Sequence, residues 1–160
     1  MKNIRVVLLG ELILFIGIFI LNILFANCDA SYIAYFINVP SFLLIVLVLI
    51  PGLIIMGEWK DFKKAFSIGI KSYSLLELKN IIGAVGAAQK LTIYGALFAT
   101  IMSVVRVLGT VDNPSVIGRN FAVCCLAGFY ALIIEFFLLP LRLNAERKMN
   151  EEMDMGDDED

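Results

Sequence analysis

Four stretches of the chain stay apolar for nearly as long as a bilayer's hydrocarbon core is thick, and the polar positions gather between them. A helix rising 1.5 Å per residue needs about 20 mostly apolar residues to cross about 30 Å of hydrocarbon. Residues 4–25, 33–56, 91–108 and 121–141 meet that requirement, so the pattern predicts an all-α integral membrane protein with four transmembrane helices. The first stretch follows Lys2 and Arg5, as a signal peptide would. Its apolar run exceeds the roughly 7 to 15 residues of a signal core, so it is expected to be retained as a span.

Between the second and third spans the pattern changes to a helical stripe. Phe62, Ala65, Phe66, Ile70 and Tyr73 recur at helical spacing with lysines between them, which predicts an amphipathic helix over 58–79 at a membrane surface. From Leu75 the chain can run as one long helix into the third span, with Gly83 and Gly86 as the weak points. The organisation is thus 1–56 with spans one and two, 57–90 as a connection, 91–141 with spans three and four, and 142–160 as a tail. Pro51-Gly52 predicts a kink in span two, while Pro40, Pro114 and Pro140 fall near span ends.

Basic residues orient the spans. The connection 57–90 carries Lys60, Lys63, Lys64, Lys71, Lys79 and Lys90, and Arg142, Arg147 and Lys148 follow span four, whereas residues 27–32 carry no basic residue. Positive charge favours the cytoplasmic side, which predicts a cytoplasmic connection and cytoplasmic N- and C-termini. The tail from Glu146 onward holds eight acids against two basic residues, a composition that predicts a solvated segment without regular structure.

Composition agrees with burial in lipid. Hydrophobic residues make up 60% of the 160 and charged residues 18%, with a net charge of −2. Mean hydropathy is +0.88. A soluble domain of this size leaves roughly a third of its surface exposed and could not hide so much apolar area. The absence of histidine removes imidazole as base, relay or ligand, and with it most hydrolase and metalloenzyme mechanisms. Cys28 lies in a connection and Cys124-Cys125 are adjacent in an apolar run, a spacing that suits neither metal nor CxxC chemistry and leaves them as small apolar residues. No catalytic residue, metal site or cofactor is expected, and nucleic acid is not an expected partner.

Helices in lipid gain nothing from setting leucine against leucine, so they associate through small side chains and occasional polar contacts. Gly95, Ala99 and Ser103 in span three, and Ala127 and Ala131 leading to Glu135 in span four, form two stripes at i, i+4, i+8. They read either as tight helix packing or as a polar lining shared with a partner helix. Glu135 is an intramembrane carboxylate and therefore a candidate titratable group. Arg142, two turns on, equally allows it to reach for the interface. Glu11 is a second such group, close to the inner surface, and Lys90 could neutralise either acid. Thr100 offers a mid-membrane hydroxyl, which can donate and accept hydrogen bonds without a buried charge.

The order of short motifs resembles the MotA/TolQ/ExbB proton-channel family, nearest a short MotA-like flagellar stator subunit. The residues that carry the resemblance are Asn38-Val39-Pro40-Ser41 at the start of span two, Ala99-Thr100 in span three, Asp112-Asn113-Pro114-Ser115 with Ile117-Gly118 in the external loop, Tyr130-Ala131 in span four and Leu139-Pro140-Leu141 at its end. Where the family carries a threonine pair in span four this chain has Ala127-Gly128, which leaves Thr100 as the one ion-path hydroxyl carried over. The connection 57–90 is much shorter than the torque-generating domain of a stator subunit.

The resemblance implies a homo-oligomeric ring, a pentamer in this family, in the bacterial cytoplasmic membrane. Its third and fourth spans line a hole occupied by a dimer of single-span partners of the MotB/ExbD type, each with an intramembrane aspartate. The implied ion is H+, with Na+ as the alternative. Two other functions are compatible with the residues: a small four-span proton-coupled exporter using Glu11, and a non-conducting structural scaffold in the membrane.

Overall fold

The computed structural model describes residues 4–25, 30–109, 112 and 114–157; Lys2, Cys28 and Asn113 lie outside the described residues, as do the last three acids. The helices are α1 (Ile4–Phe25), α2 (Val39–Ile55), α3 (Trp59–Ala65), α4 (Leu75–Leu108) and α5 (Pro114–Asp157), with a 3-10 segment over Ala30–Phe36 before α2. Four helical stretches are long and apolar enough to cross a membrane, which makes the chain a multi-pass membrane protein.

Local chemistry explains the boundaries. Asn38 caps α2, its Oδ1 accepting from the Ser41 N–H at 3.0 Å, and Pro40 sits in the first turn where its missing N–H costs nothing. The helix passes through Pro51 and ends in a Schellman arrangement: Gly57 N–H donates to Ile54 O at 3.1 Å and Glu58 N–H to Leu53 O at 2.9 Å. Gly57 has a φ of 78°, a left-handed conformation that glycine adopts without the clash a side chain would bring.

The stretch expected as one amphipathic helix, 58–79, is instead two pieces. Helix α3 covers its first turns, and a reversal through Gly69, at a φ of 89°, precedes a fresh start at Ser74. Ser74 and Glu77 form a capping box, each side chain bonding the other's backbone N–H, and this local signal overrides the continuing stripe. From there α4 runs without interruption past Gly83 and Gly86 for 34 residues, about 51 Å.

Helix α5 likewise continues through the stretch expected to lack structure, for 44 residues in all, about 66 Å. Alternating charges hold the extension. Arg142 pairs with Glu146 at 2.8 Å and Lys148 with Glu152 at 2.8 Å, both at i,i+4 spacing that favours helix. Ala145 is fully buried against the neighbouring helices, so the extension also packs.

Helices α4 and α5 form an antiparallel hairpin that α2 joins on one side. The main core, including Leu53, Ala65, Ile68, Ile81, Val85, Leu138 and Leu141, lies where α2 ends, α4 begins and α5 continues. The charged residues of α3 and of the α5 extension lie at the same end. Further along the bundle Ile45 of α2 packs against two small residues, Ala96 of α4 and Ala131 of α5. Helix α1 packs along the edge of the bundle, and Ile4 is its only buried residue.

Candidate functional site

All five residues of the two small stripes are buried inside the single chain. Gly95, Ala99 and Ser103 face the chain's own neighbouring helices, as do Ala127 and Ala131. A Cβ added to Gly95 would stand 3.0 Å from the Cα of Ile45, so α2 and α4 approach backbone to backbone. Ser103 donates to Ala99 O at 2.9 Å and Thr92 to Ala88 O at 2.9 Å, which satisfies both hydroxyls within α4. Helix packing is therefore the role this geometry gives the stripes, and an axis shared between copies would be lined by other faces.

The motif residues of spans two and four meet at one place. The Tyr130 hydroxyl donates to Phe36 O at 2.7 Å and accepts from the Asn38 N–H, one residue before α2 starts. Phe42 lies edge-on to Tyr130 at 5.8 Å, and Phe36, Phe129 and Phe19 extend the cluster to α1. Phe36, Asn38, Phe42 and half-buried Tyr130 thus form a clasp between the start of α2 and the middle of α5, with Ser41 buried in the first turn of α2 and Pro40 exposed beside it. Pro114 opens α5, and of Pro114 and Ser115 only the backbone is described. Gly118 is exposed with open space around its Cα.

Two polar cavities flank the hairpin. The larger, about 700 Å³, runs between α2, α4 and α5 and is lined by Glu58, Gln89, Lys90, Tyr94, Glu135 and Arg142 over a floor of Gly83 and Gly86. Side chains added at those glycines would meet nothing within 4 Å, so the floor is open. Gln89 lies within hydrogen-bonding reach of the Glu135 carboxylate, whose Oε1 is buried without a partner among the described residues. Arg142 donates to Gln89 Oε1 at 3.3 Å and to Glu146 at 2.8 Å. The arginine therefore reaches Glu135 through an amide, and Lys90 stands on the same wall without bonding it.

The smaller cavity, about 480 Å³, lies between α1 and α5 and brings together Glu11, Pro140, Asn144, Arg147 and Glu151. Glu11 and Glu135 thus belong to separate sites. Thr100 is half-buried beside the small stripe of α4 and lines neither cavity.

Gln89 and Asn144 were not legible as site residues, because an amide near the basic end of a span carries no motif. The usable signal was position: Gln89 directly precedes Lys90, and Asn144 stands one turn before Arg147 and Lys148. No group of His, Cys, Asp and Glu with the geometry of a metal site occurs among the described residues. No family model, curated protein or solved structure matches the chain.

Proposed function

We propose that the chain is the ring subunit of an ion-driven membrane motor, MotA-like in organisation, surrounding a dimer of single-span MotB/ExbD-type helices that bring the ion-binding aspartate. The ion is a proton, with sodium as the alternative that flux measurements separate. In this reading α3 and both termini lie in the cytoplasm of a bacterium, and the inner membrane holds the ring.

The observation that carries the reading is the α4/α5 hairpin. Both helices run unbroken from mid-membrane to well beyond it, because about 51 Å and about 66 Å exceed a hydrocarbon core of about 30 Å. A small displacement at an ion site inside the bilayer reaches the outside through such a pair without a joint to absorb it. One elementary charge falling through 100 mV releases about 2.3 kcal/mol, enough to move a packed interface between discrete positions. The Tyr130 clasp fixes α2 to the same hairpin, so a subunit moves as one piece.

Because the small stripes are used within the chain, the partner dimer meets faces that a single chain leaves exposed, with Thr100 at their edge. The purified chain examined by cryo-electron microscopy or native mass spectrometry will give a closed ring of identical copies, and a monodisperse monomer or dimer overturns the proposal. Thr100→Val, reconstituted with its partner, will lose ion flux while the ring persists; unchanged flux removes Thr100 from the path. The exporter reading makes the opposite demand, that Glu11→Gln abolish cation resistance.

A further inference from the structure

The cavity between α1 and α5 contains two buried polar atoms of opposite kind with no partner among the described residues, Glu11 Oε2 and Asn144 Nδ2. Leaving either bare costs about 1–3 kcal/mol, so a ligand that satisfies both is strongly favoured. The acceptor needs a donor and the donor needs an acceptor. Arg147 and Glu151, one turn apart on α5, add a charged donor and a charged acceptor to the same lining. Val7 and Pro140 supply apolar wall.

Helix α1 adds the reason a lipid belongs there. Apart from Ile4 and a half-buried strip through Val7, Leu8, Glu11, Phe15 and Phe19, its surface is exposed, so much of what touches it in the membrane is acyl chain. The cavity opens beside that helix, at the end of the bundle that carries Arg5, Arg142, Arg147 and Lys148, the charge that lipid headgroups attract at a membrane surface.

From these observations we infer that the α1–α5 cavity binds the headgroup of an aminophospholipid, its primary ammonium donating to Glu11 and Glu151 and its phosphate accepting from Asn144 and Arg147. The site holds α1 to the hairpin through a lipid where the protein supplies few contacts of its own. Selectivity comes from hydrogen-bond count: a trimethylammonium headgroup has the charge but no N–H to give, and a glycerol headgroup lacks the charge.

The test titrates the detergent-purified full chain with phosphatidylethanolamine, phosphatidylcholine or phosphatidylglycerol and counts bound lipid by native mass spectrometry. Phosphatidylethanolamine will bind about tenfold more tightly than either, the worth of one charge-assisted hydrogen bond. Glu11→Gln and Asn144→Leu will each erase the preference, Glu151→Gln will reduce it, and Leu14→Ala elsewhere on α1 will leave it intact. Soluble phosphoethanolamine at equal concentration will not displace the lipid. Equal binding of the three lipids, binding of none, a preference that survives in both Glu11→Gln and Asn144→Leu, or displacement by the soluble headgroup each overturns the assignment. None of these outcomes depends on whether the ring conducts ions.

Discussion

Helices α1 and α4 are both rich in isoleucine and leucine, yet one packs along the edge of the bundle with a single fully buried residue and the other forms the centre of the fold. Helix α1 carries the more uniformly apolar sequence and buries only Ile4. Helix α4 is interrupted by Gly83, Gly86, Thr92, Gly95 and Ser103, and ten of its residues are buried. In water the order would be reversed. In lipid a leucine loses nothing by facing acyl chains, so attachment follows close backbone approach, which small side chains permit and large ones prevent.

The sharpest way to break the contrast is to swap bulk between the two helices. Gly95→Val places branched carbon against the Ile45 backbone, where even a Cβ stands at 3.0 Å, and should cost about 3 kcal/mol in a reversible unfolding assay in mixed micelles. Leu14→Ala on α1, which removes as many side-chain carbons as Gly95→Val adds, should stay within about 0.5 kcal/mol in the same assay. Equal losses at the two positions would show that burial, not backbone approach, holds the helices.

A smaller effect is expected at the Tyr130 clasp. Tyr130→Phe keeps the aromatic contacts but removes the hydroxyl that bonds the Asn38 N–H and the Phe36 carbonyl, at a cost of about 1–2 kcal/mol. The loss should fall on α2, seen as faster amide exchange at its first turn, while α1 is unchanged. If α2 keeps its protection, the clasp is incidental to the bundle.

The smallest effect concerns α3, which is tied to α4 by charge. Hydrogen bonds to Asp61 first, and to Glu77 next, hold the Lys64 ammonium above the usual lysine range. A raised folded value means the tie is fully present below the ordinary lysine range and fades as pH climbs through the elevated one. Trp59, the single tryptophan, sits on α3 and should report that alkaline loosening by its emission. Lys64→Met should remove the transition, and a transition that persists would place its origin elsewhere.

Much of the fold was legible. Each of the four apolar stretches carries a helix long and apolar enough to span, although the second is a 3-10 turn up to Phe36 and α-helical only from Val39, because unpaired backbone groups cannot remain in hydrocarbon and helix formation is the local remedy. The Ser74–Glu77 box was equally local, yet the stripe running from Phe62 to Tyr73 suggested one helix where a turn and a second start occur. The stretch after Leu141 misled in the other direction: its acidity read as solvation, while the i,i+4 pairs of Arg142 and Lys148 and the buried Ala145 continue α5.

The site was legible only as separate residues. Glu11 and Glu135 stood out because charge inside a span is costly, and Tyr130 stood out as part of a motif. That Tyr130 closes on Asn38, that Gln89 links Arg142 to Glu135, and that Glu11 shares a cavity with Asn144 depend on which helix faces which. Hydropathy and length determine that these segments are helices in lipid, since that choice is made within each segment. Partner choice is settled by the shapes of surfaces from distant parts of the chain, and no single segment contains that information.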